Sequence, residues 1–195
     1  LQPDGKIVAV GYSTTNNQTD VAVVRYTSSG ALDASFGSGG KLVTTIGSGD
    51  EEAAAAILQP DSKLVVAGNT DNGTNTDTTL VRYDTSGALD TTFDADGKVV
   101  TQAGERFDQF NAVAVQPDGK IVAVGYAHNH INNDFATARF NVDGTLDTTF
   151  GNGGKVITTF GSSDEEAEAV ALQGDGKIVA AGYASVGGGS VFAIA

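Results

Sequence analysis

A block of residues recurs along this chain at one unvarying spacing. Gln2-Pro3-Asp4-Gly5-Lys6 returns as Gln59-Pro60-Asp61-Ser62-Lys63, as Gln116-Pro117-Asp118-Gly119-Lys120 and as Gln173-Gly174-Asp175-Gly176-Lys177, a step of 57 residues each time. Arg25-Tyr26, Arg82-Tyr83 and Arg139-Phe140 keep the step, as do Leu32-Asp33, Leu89-Asp90 and Leu146-Asp147, with no insertion or deletion between them. Equivalent stretches of such an array must fold alike and stack on one another, because a single unit cannot bury its own apolar face. About three and a half copies fit into 195 residues.

Each unit reads as four strands. Strand a covers Ala53–Leu58, Asn111–Val115 and Glu168–Leu172. Taken alone, Glu51-Glu52-Ala53-Ala54-Ala55-Ala56 has helical propensity. Its counterpart Asn111-Ala112-Val113-Ala114-Val115 has strand character instead, and the period obliges both to adopt one structure. Strand b follows the Pro-Asp-Gly-Lys turn, as in Lys120-Ile121-Val122-Ala123-Val124-Gly125-Tyr126, and is apolar on both alternating faces, which predicts burial on both sides. Strand c is Val21–Tyr26, Thr78–Tyr83 and Phe135–Phe140. Strand d is Lys41–Ile46, Lys98–Ala103 and Lys155–Phe160, where alternating Thr behind a leading Lys marks a wet sheet edge. The 26 Gly residues serve turns, since they follow no three-residue period, and the chain has no Cys.

An antiparallel sheet with a small-residue inner strand, a doubly buried middle and a half-wet outer edge is what radial packing around an axis requires. The predicted fold is therefore all-β, a β-propeller of four-stranded blades. A β-solenoid is the alternative, but its coils take roughly 20 to 30 residues. The expected division is a partial blade over 1–49 (strands b, c and d), blades over 50–106 and 107–163, and a partial blade over 164–195 (strands a, b and c). A ring needs typically 4 to 8 blades, and Leu1 falls inside a motif, so a longer parent or two copies per ring is expected.

The ordered pattern Gln-Pro-Asp-Gly-Lys-Ile-Val, then Arg-(Tyr/Phe), then Ser-Gly-(Ala/Thr)-Leu-Asp-x-x-Phe-Gly-x-x-Gly-Lys resembles the bacterial delta-60 repeat over the whole chain. Ser62, Gly174 and Phe107-Asp108-Gln109 depart from it. The resemblance implies propeller-like structure and an exported or surface-associated bacterial protein, and assigns no catalytic residues.

Alternating strand direction sorts the loops onto two faces. The a–b turns and c–d loops form a face nearly identical in every copy, where Arg25, Arg82 and Arg139 are expected to pair with Asp33, Asp90 and Asp147. The b–c loops, Ser13–Asp20, Asn69–Asp77, Ala127–Asp134 and Ala184–Ser190, are polar and unlike one another, and variable loops on a rigid scaffold carry binding. Asn16, Asn17, Asp71, Asn72, Asn75, His128, Asn129, His130, Asn132 and Asn133 are the candidate ligand contacts. Beside them, Glu51, Asp108 and Glu165 form the one column acidic in every copy, a candidate Ca²⁺ ring at the channel mouth because a hard cation takes six to eight oxygens; solvated loop acids explain the same column just as simply. His128 and His130 lack the further ligands of a zinc site.

A net charge of −13 repels nucleic acid and anionic membranes, and no apolar run is long enough for a membrane span. The expected function is non-enzymatic: a secreted or cell-surface module that binds or scaffolds a protein or glycan through the b–c face. The alternatives are a building block of a surface layer or filament, made of copies of the chain, and a propeller glycosidase or lyase that draws residues from outside this segment.

Overall fold

The computed structural model describes residues 1–195 and contains only strands and turns. The first unit supplies β1 (Ile7–Thr15), β2 (Gln18–Tyr26) and β3 (Lys41–Thr44). The second supplies β4 (Glu51–Leu58), β5 (Leu64–Asp71), β6 (Thr76–Tyr83) and β7 (Lys98–Thr101). The third supplies β8 (Gln109–Val115), β9 (Ile121–His128), β10 (Asn133–Phe140) and β11 (Lys155–Thr158), and the fourth β12 (Glu165–Leu172), β13 (Ile178–Val186) and β14 (Gly189–Ile194). Every sheet is an antiparallel meander in chain order, with three, four, four and three strands from first unit to last. Because each unit closes its own sheet, the solenoid alternative falls away and the units are propeller blades.

The core lies between blades. Val21, Val23, Phe36, Leu64, Val66, Val81 and Tyr83 pack where the first blade meets the second. Phe93, Phe110, Ile121 and Phe140 anchor the next layer, and Val122, Val124, Phe135 and Ala167 the last. The middle strands are sandwiched as their apolar runs require: Leu64–Gly68 and Ile121–Gly125 are wholly buried. The Ala-rich segment is a strand, β4, as comparison between copies predicts.

At the d–a junction two boundaries differ from expectation, for one reason. Strand d stops at Thr44, Thr101 and Thr158, short of Ile46, Ala103 and Phe160. The amides of those last three residues donate instead to the carboxylates of Glu51, Asp108 and Glu165, at 3.3, 2.9 and 2.7 Å. Strand a correspondingly starts earlier, at Glu51, Gln109 and Glu165. Each inner strand also carries a bulge, between Ala53 and Ala55, Phe110 and Ala112, and Ala167 and Ala169. Opposite the bulges stand Gly68, Gly125 and Gly182, where an added Cβ would overlap the carbonyl oxygens of Glu52, Gln109 and Glu166.

The expected Arg–Asp pairs are present in three blades. Arg25, Arg82 and Arg139 donate from Nε to Asp33, Asp90 and Asp147, each at 2.7 Å. The guanidiniums stack on Phe36, Phe93 and Phe150 at 4.3, 4.4 and 4.6 Å from the ring centroids. A second cation, not anticipated from the sequence, reaches each Asp: the Lys of the a–b turn, as in Lys63 to Asp90 at 2.8 Å. The strand-d Lys residues tie neighbouring blades, Lys98 Nζ donating to the Thr45 carbonyl at 2.8 Å and Lys155 Nζ to that of Gln102.

These contacts hold three carboxyls well below the usual carboxylate range. The Ser35 hydroxyl is the largest influence on Asp33 and Lys120 on Asp147; at Asp90 burial pushes upward but is outweighed by Lys63 and Thr92. A carboxyl depressed on folding stabilises the fold above its unfolded pKa and loses that contribution as pH falls through its folded value. Burial raises Asp108, which works in the opposite sense: its ionised form is a cost that appears as pH rises through its folded value. Glu168 is raised as well, by burial and by the neighbouring Glu166, and seven depressed Asp carboxyls outnumber the two. The melting temperature should therefore stay nearly level from pH 7 to about 5 and fall steeply only below the ordinary Asp value of 3.8, as followed by circular dichroism. Unfolding already well advanced at pH 5 would contradict the carboxylate clusters.

Candidate functional site

The variable face is built from the b–c hairpins and the d–a loops, which hydrogen-bond to one another. Asp50 Oδ1 accepts from the Thr19 amide at 2.7 Å, and Asp164 Oδ1 from that of Asn133 at 3.0 Å. The b–c loops are much shorter than expected, because most of each stretch is strand. Only Asn16–Asn17, Asn72–Asn75, Asn129–Asn132 and Gly187–Gly188 form connections. The first and last are two-residue turns with both φ angles positive, 54° and 64° at Asn16 and Asn17 and 59° and 83° at Gly187 and Gly188.

The middle two hairpins share a network that their differing sequences conceal. In Asn72-Gly73-Thr74-Asn75-Thr76-Asp77 and Asn129-His130-Ile131-Asn132-Asn133-Asp134 the spacing Asn-x-x-Asn-x-Asp is the same. Asn72 Oδ1 accepts from the amides of Thr74 and Asn75, and Asn129 Oδ1 from those of Ile131 and Asn132. Their Nδ2 groups donate onward to Asp77 at 3.0 Å and Asp134 at 2.7 Å. Asn72, Asn75, Asn129 and Asn132 thus spend much of their polarity holding the hairpins rigid. Asp71 accepts from the Gly73 amide, and Asn133 Nδ2 donates to Glu166 at 3.0 Å. Asn16 and Asn17 sit at an exposed corner in the first blade.

Glu51, Asp108 and Glu165 do not form the expected ring, nor are they solvated. All three are buried, and each turns back onto the d–a loop of its own junction. Glu51 accepts from Ile46 N, Gly47 N and Thr70 Oγ1; Asp108 accepts from Ala103 N, Gly104 N and His128 N. Glu165 Oε2 accepts from Phe160 N, and Oε1 has no partner; Ala184 stands opposite it where Thr70 faces Glu51. Nowhere do three acidic or His side chains come close enough to hold a metal ion. The two His also diverge. His130 pairs with Glu105, while the His128 ring meets Phe107 edge-on at 5.8 Å and its Nδ1 accepts from the His130 amide.

The departure at Phe107 has a visible consequence. Asp50 and Asp164 cap the start of the preceding blade's strand c. At Phe107 that bond is made instead by a backbone carbonyl, Arg106 O accepting from Thr76 N at 2.9 Å. The Phe ring, released from any capping role, is 49 % exposed. Ile131, at the tip of the neighbouring hairpin, is 83 % exposed. The two segments are joined by Glu105 N donating to His128 O at 2.8 Å. Two exposed apolar side chains thus stand on otherwise polar loops that are bonded to each other.

Charge is divided as unevenly as sequence variability. Ten of the 11 Lys and Arg lie in the a–b turns, at the ends of strands c or at the starts of strands d, all on the uniform face. Only Arg106 lies on the other, which carries 13 of the 24 acids, counting the first half of each strand a. Nearly all of the net charge of −13 therefore resides on the variable face.

No curated protein matches the chain. A domain of unknown function described as the DUF5122 beta-propeller matches residues 2–36, 59–93, 116–150 and 173–195. The matched segments are themselves one repeat step apart, each starts at the Gln that opens an a–b turn, and together they cover more than half of the chain. With its sheets ordered as blades and its four units matched in phase, the chain belongs to the DUF5122 β-propeller family.

Proposed function

We propose that this is a non-enzymatic binding module, exported as the delta-60 resemblance implies, that recognises a protein through its b–c hairpin face. The observation that carries the reading is the pair of exposed apolar side chains, Ile131 and Phe107, set in the most acidic surface of the molecule. Apolar anchors surrounded by charge are the make-up of a recognition patch: the anchors supply affinity, and the field selects a partner of opposite sign and speeds its approach. The partner is thus a basic protein surface offering an apolar pocket. The rigid Asn networks of the hairpins limit the ordering cost of binding.

The test is surface plasmon resonance on immobilised basic proteins, acidic proteins and neutral polysaccharides. The wild type should bind basic proteins, more weakly as salt is raised. The double variant Phe107→Asp, Ile131→Asn restores the repeat's acid and removes the anchors. It should bind at least tenfold more weakly with an unchanged melting temperature. Undiminished binding by that variant, or binding to the polysaccharides alone, would overturn the reading.

A further inference from the structure

Two Asn-Gly pairs occur in the chain, Asn72-Gly73 and Asn152-Gly153, and the fold treats them in opposite ways. An asparagine followed by glycine is prone to cyclise, because glycine has no Cβ to keep its own nitrogen from the side-chain carbon before it. The reaction needs a side-chain amide free to rotate and a backbone nitrogen free to attack. In the b–c hairpin of the second blade neither is free. Asn72 Oδ1 accepts from the amides of Thr74 and Asn75, and its Nδ2 donates to Asn75 at 2.6 Å and to Asp77 at 3.0 Å. The Gly73 amide donates to Asp71 Oδ1 at 2.6 Å.

Asn152 lies in the c–d loop of the third blade, before the tight turn Gly153-Gly154. Its main chain is fixed: Asn152 N donates to Lys155 O at 2.8 Å, and Lys155 N to Asn152 O at 3.3 Å. Its side chain is exposed and bonded to nothing, and the Gly153 amide has no acceptor. The space beside Gly153 is open, with no atom within 4 Å of an added Cβ. These properties belong to the place in the repeat. Ser38-Gly39 and Ala95-Asp96 occupy it in blades whose following neighbour is present; all four residues are exposed, and the Gly39 and Asp96 amides likewise have no acceptor. The Asp-Gly pairs do not compete. At Asp4, Asp96, Asp118, Asp143 and Asp175 the carboxylate accepts from the amide two residues on, and an ionised carboxylate has no good leaving group.

We propose that Asn152 is a modification site, at which the folded chain converts its own asparagine through a cyclic imide into aspartate and isoaspartate. The Gly153 nitrogen attacks Asn152 Cγ. The N–Cγ bond forms, the Cγ–Nδ2 bond breaks, and Nδ2 leaves as ammonia with the proton that Gly153 N gives up. Water then opens the imide, at Cγ to leave aspartate or at the main-chain carbonyl to leave isoaspartate, whose backbone runs through Cβ and Cγ. Either product places a carboxylate across the turn from Lys155, whose ammonium ties the third blade to the Gln102 carbonyl. The new charge falls on the uniform face, beside the bases gathered there.

The experiment incubates the whole chain in mildly alkaline buffer, folded in one arm and unfolded by urea in the other, and follows each asparagine by peptide mapping with mass spectrometry. In the folded chain Asn152 should convert at least tenfold faster than Asn72, giving two products of equal mass that separate on chromatography. In urea the two pairs should convert at similar rates, since only the fold distinguishes them. Asn152→Ser, which puts the first blade's residue at this place, should abolish conversion there and leave the melting temperature unchanged. A folded-state difference of less than tenfold would overturn the proposal. So would an Asn152 that stays intact in the folded chain, or a difference that persists undiminished in urea.

Discussion

Gly125→Ala is expected to lower stability by about 3 kcal/mol or more, the upper range for forcing extra atoms into a filled interior. The same substitution at Gly174, in an exposed a–b turn, should change it by less than about 1 kcal/mol. The difference is what lies beside them. Gly125 lies against the bulge of β8, so an added methyl would overlap Gln109 O and come within 2.9 Å of Phe110 Cα, which are backbone atoms that cannot turn aside. At Gly174 nothing lies within 4 Å of an added methyl, and its φ is outside the left-handed region. At roughly 2–4 °C per kcal/mol for a chain of this size, Gly125→Ala should melt about 10 °C lower, and thermal denaturation of the two variants side by side measures it. Equal losses would mean that the bulge is not what requires the glycine.

Asp90→Ala should cost about 3–5 kcal/mol, the range for leaving a buried cation without its counter-charge. Asp90 accepts from Arg82 Nε at 2.7 Å and Lys63 Nζ at 2.8 Å through one oxygen, and from Thr92 through the other. Arg82 is held over Phe93 and bonded to the next blade, so it cannot swing out to water when the carboxylate is removed. Asp61→Ala removes a carboxylate from the same Lys63 in an exposed setting, at 3.8 Å. It should cost less than about 1 kcal/mol. Urea denaturation of both variants compares them, and equal losses would show that the buried Arg82 is not what makes the cluster costly to break.

Much of this architecture was legible in the sequence because a fixed period turns local ambiguity into comparison. Glu51–Ala56 has helical propensity, and its counterparts overrule it; the Arg–Asp pairs are two columns that keep constant spacing. The acidic column misleads for the complementary reason. Carboxylates in polar loops look solvated until the strand before them is seen to end two residues early and hand its amides to them. The Asn-x-x-Asn-x-Asp network was present in the letters but hidden by its dissimilar neighbours.

The sequence by itself determined the repeat, the four-strand blade, the alternation of uniform and variable loops and the pairing of Arg with Asp. All of these follow from periodicity along the chain. Only the tertiary structure decided that Glu51, Asp108 and Glu165 are buried, that Phe107 and Ile131 lie exposed on loops that touch, and that Gly125 stands against a bulge that leaves no room for a methyl group. Those properties depend on which neighbour stands across a gap, which the order of residues along the chain does not show.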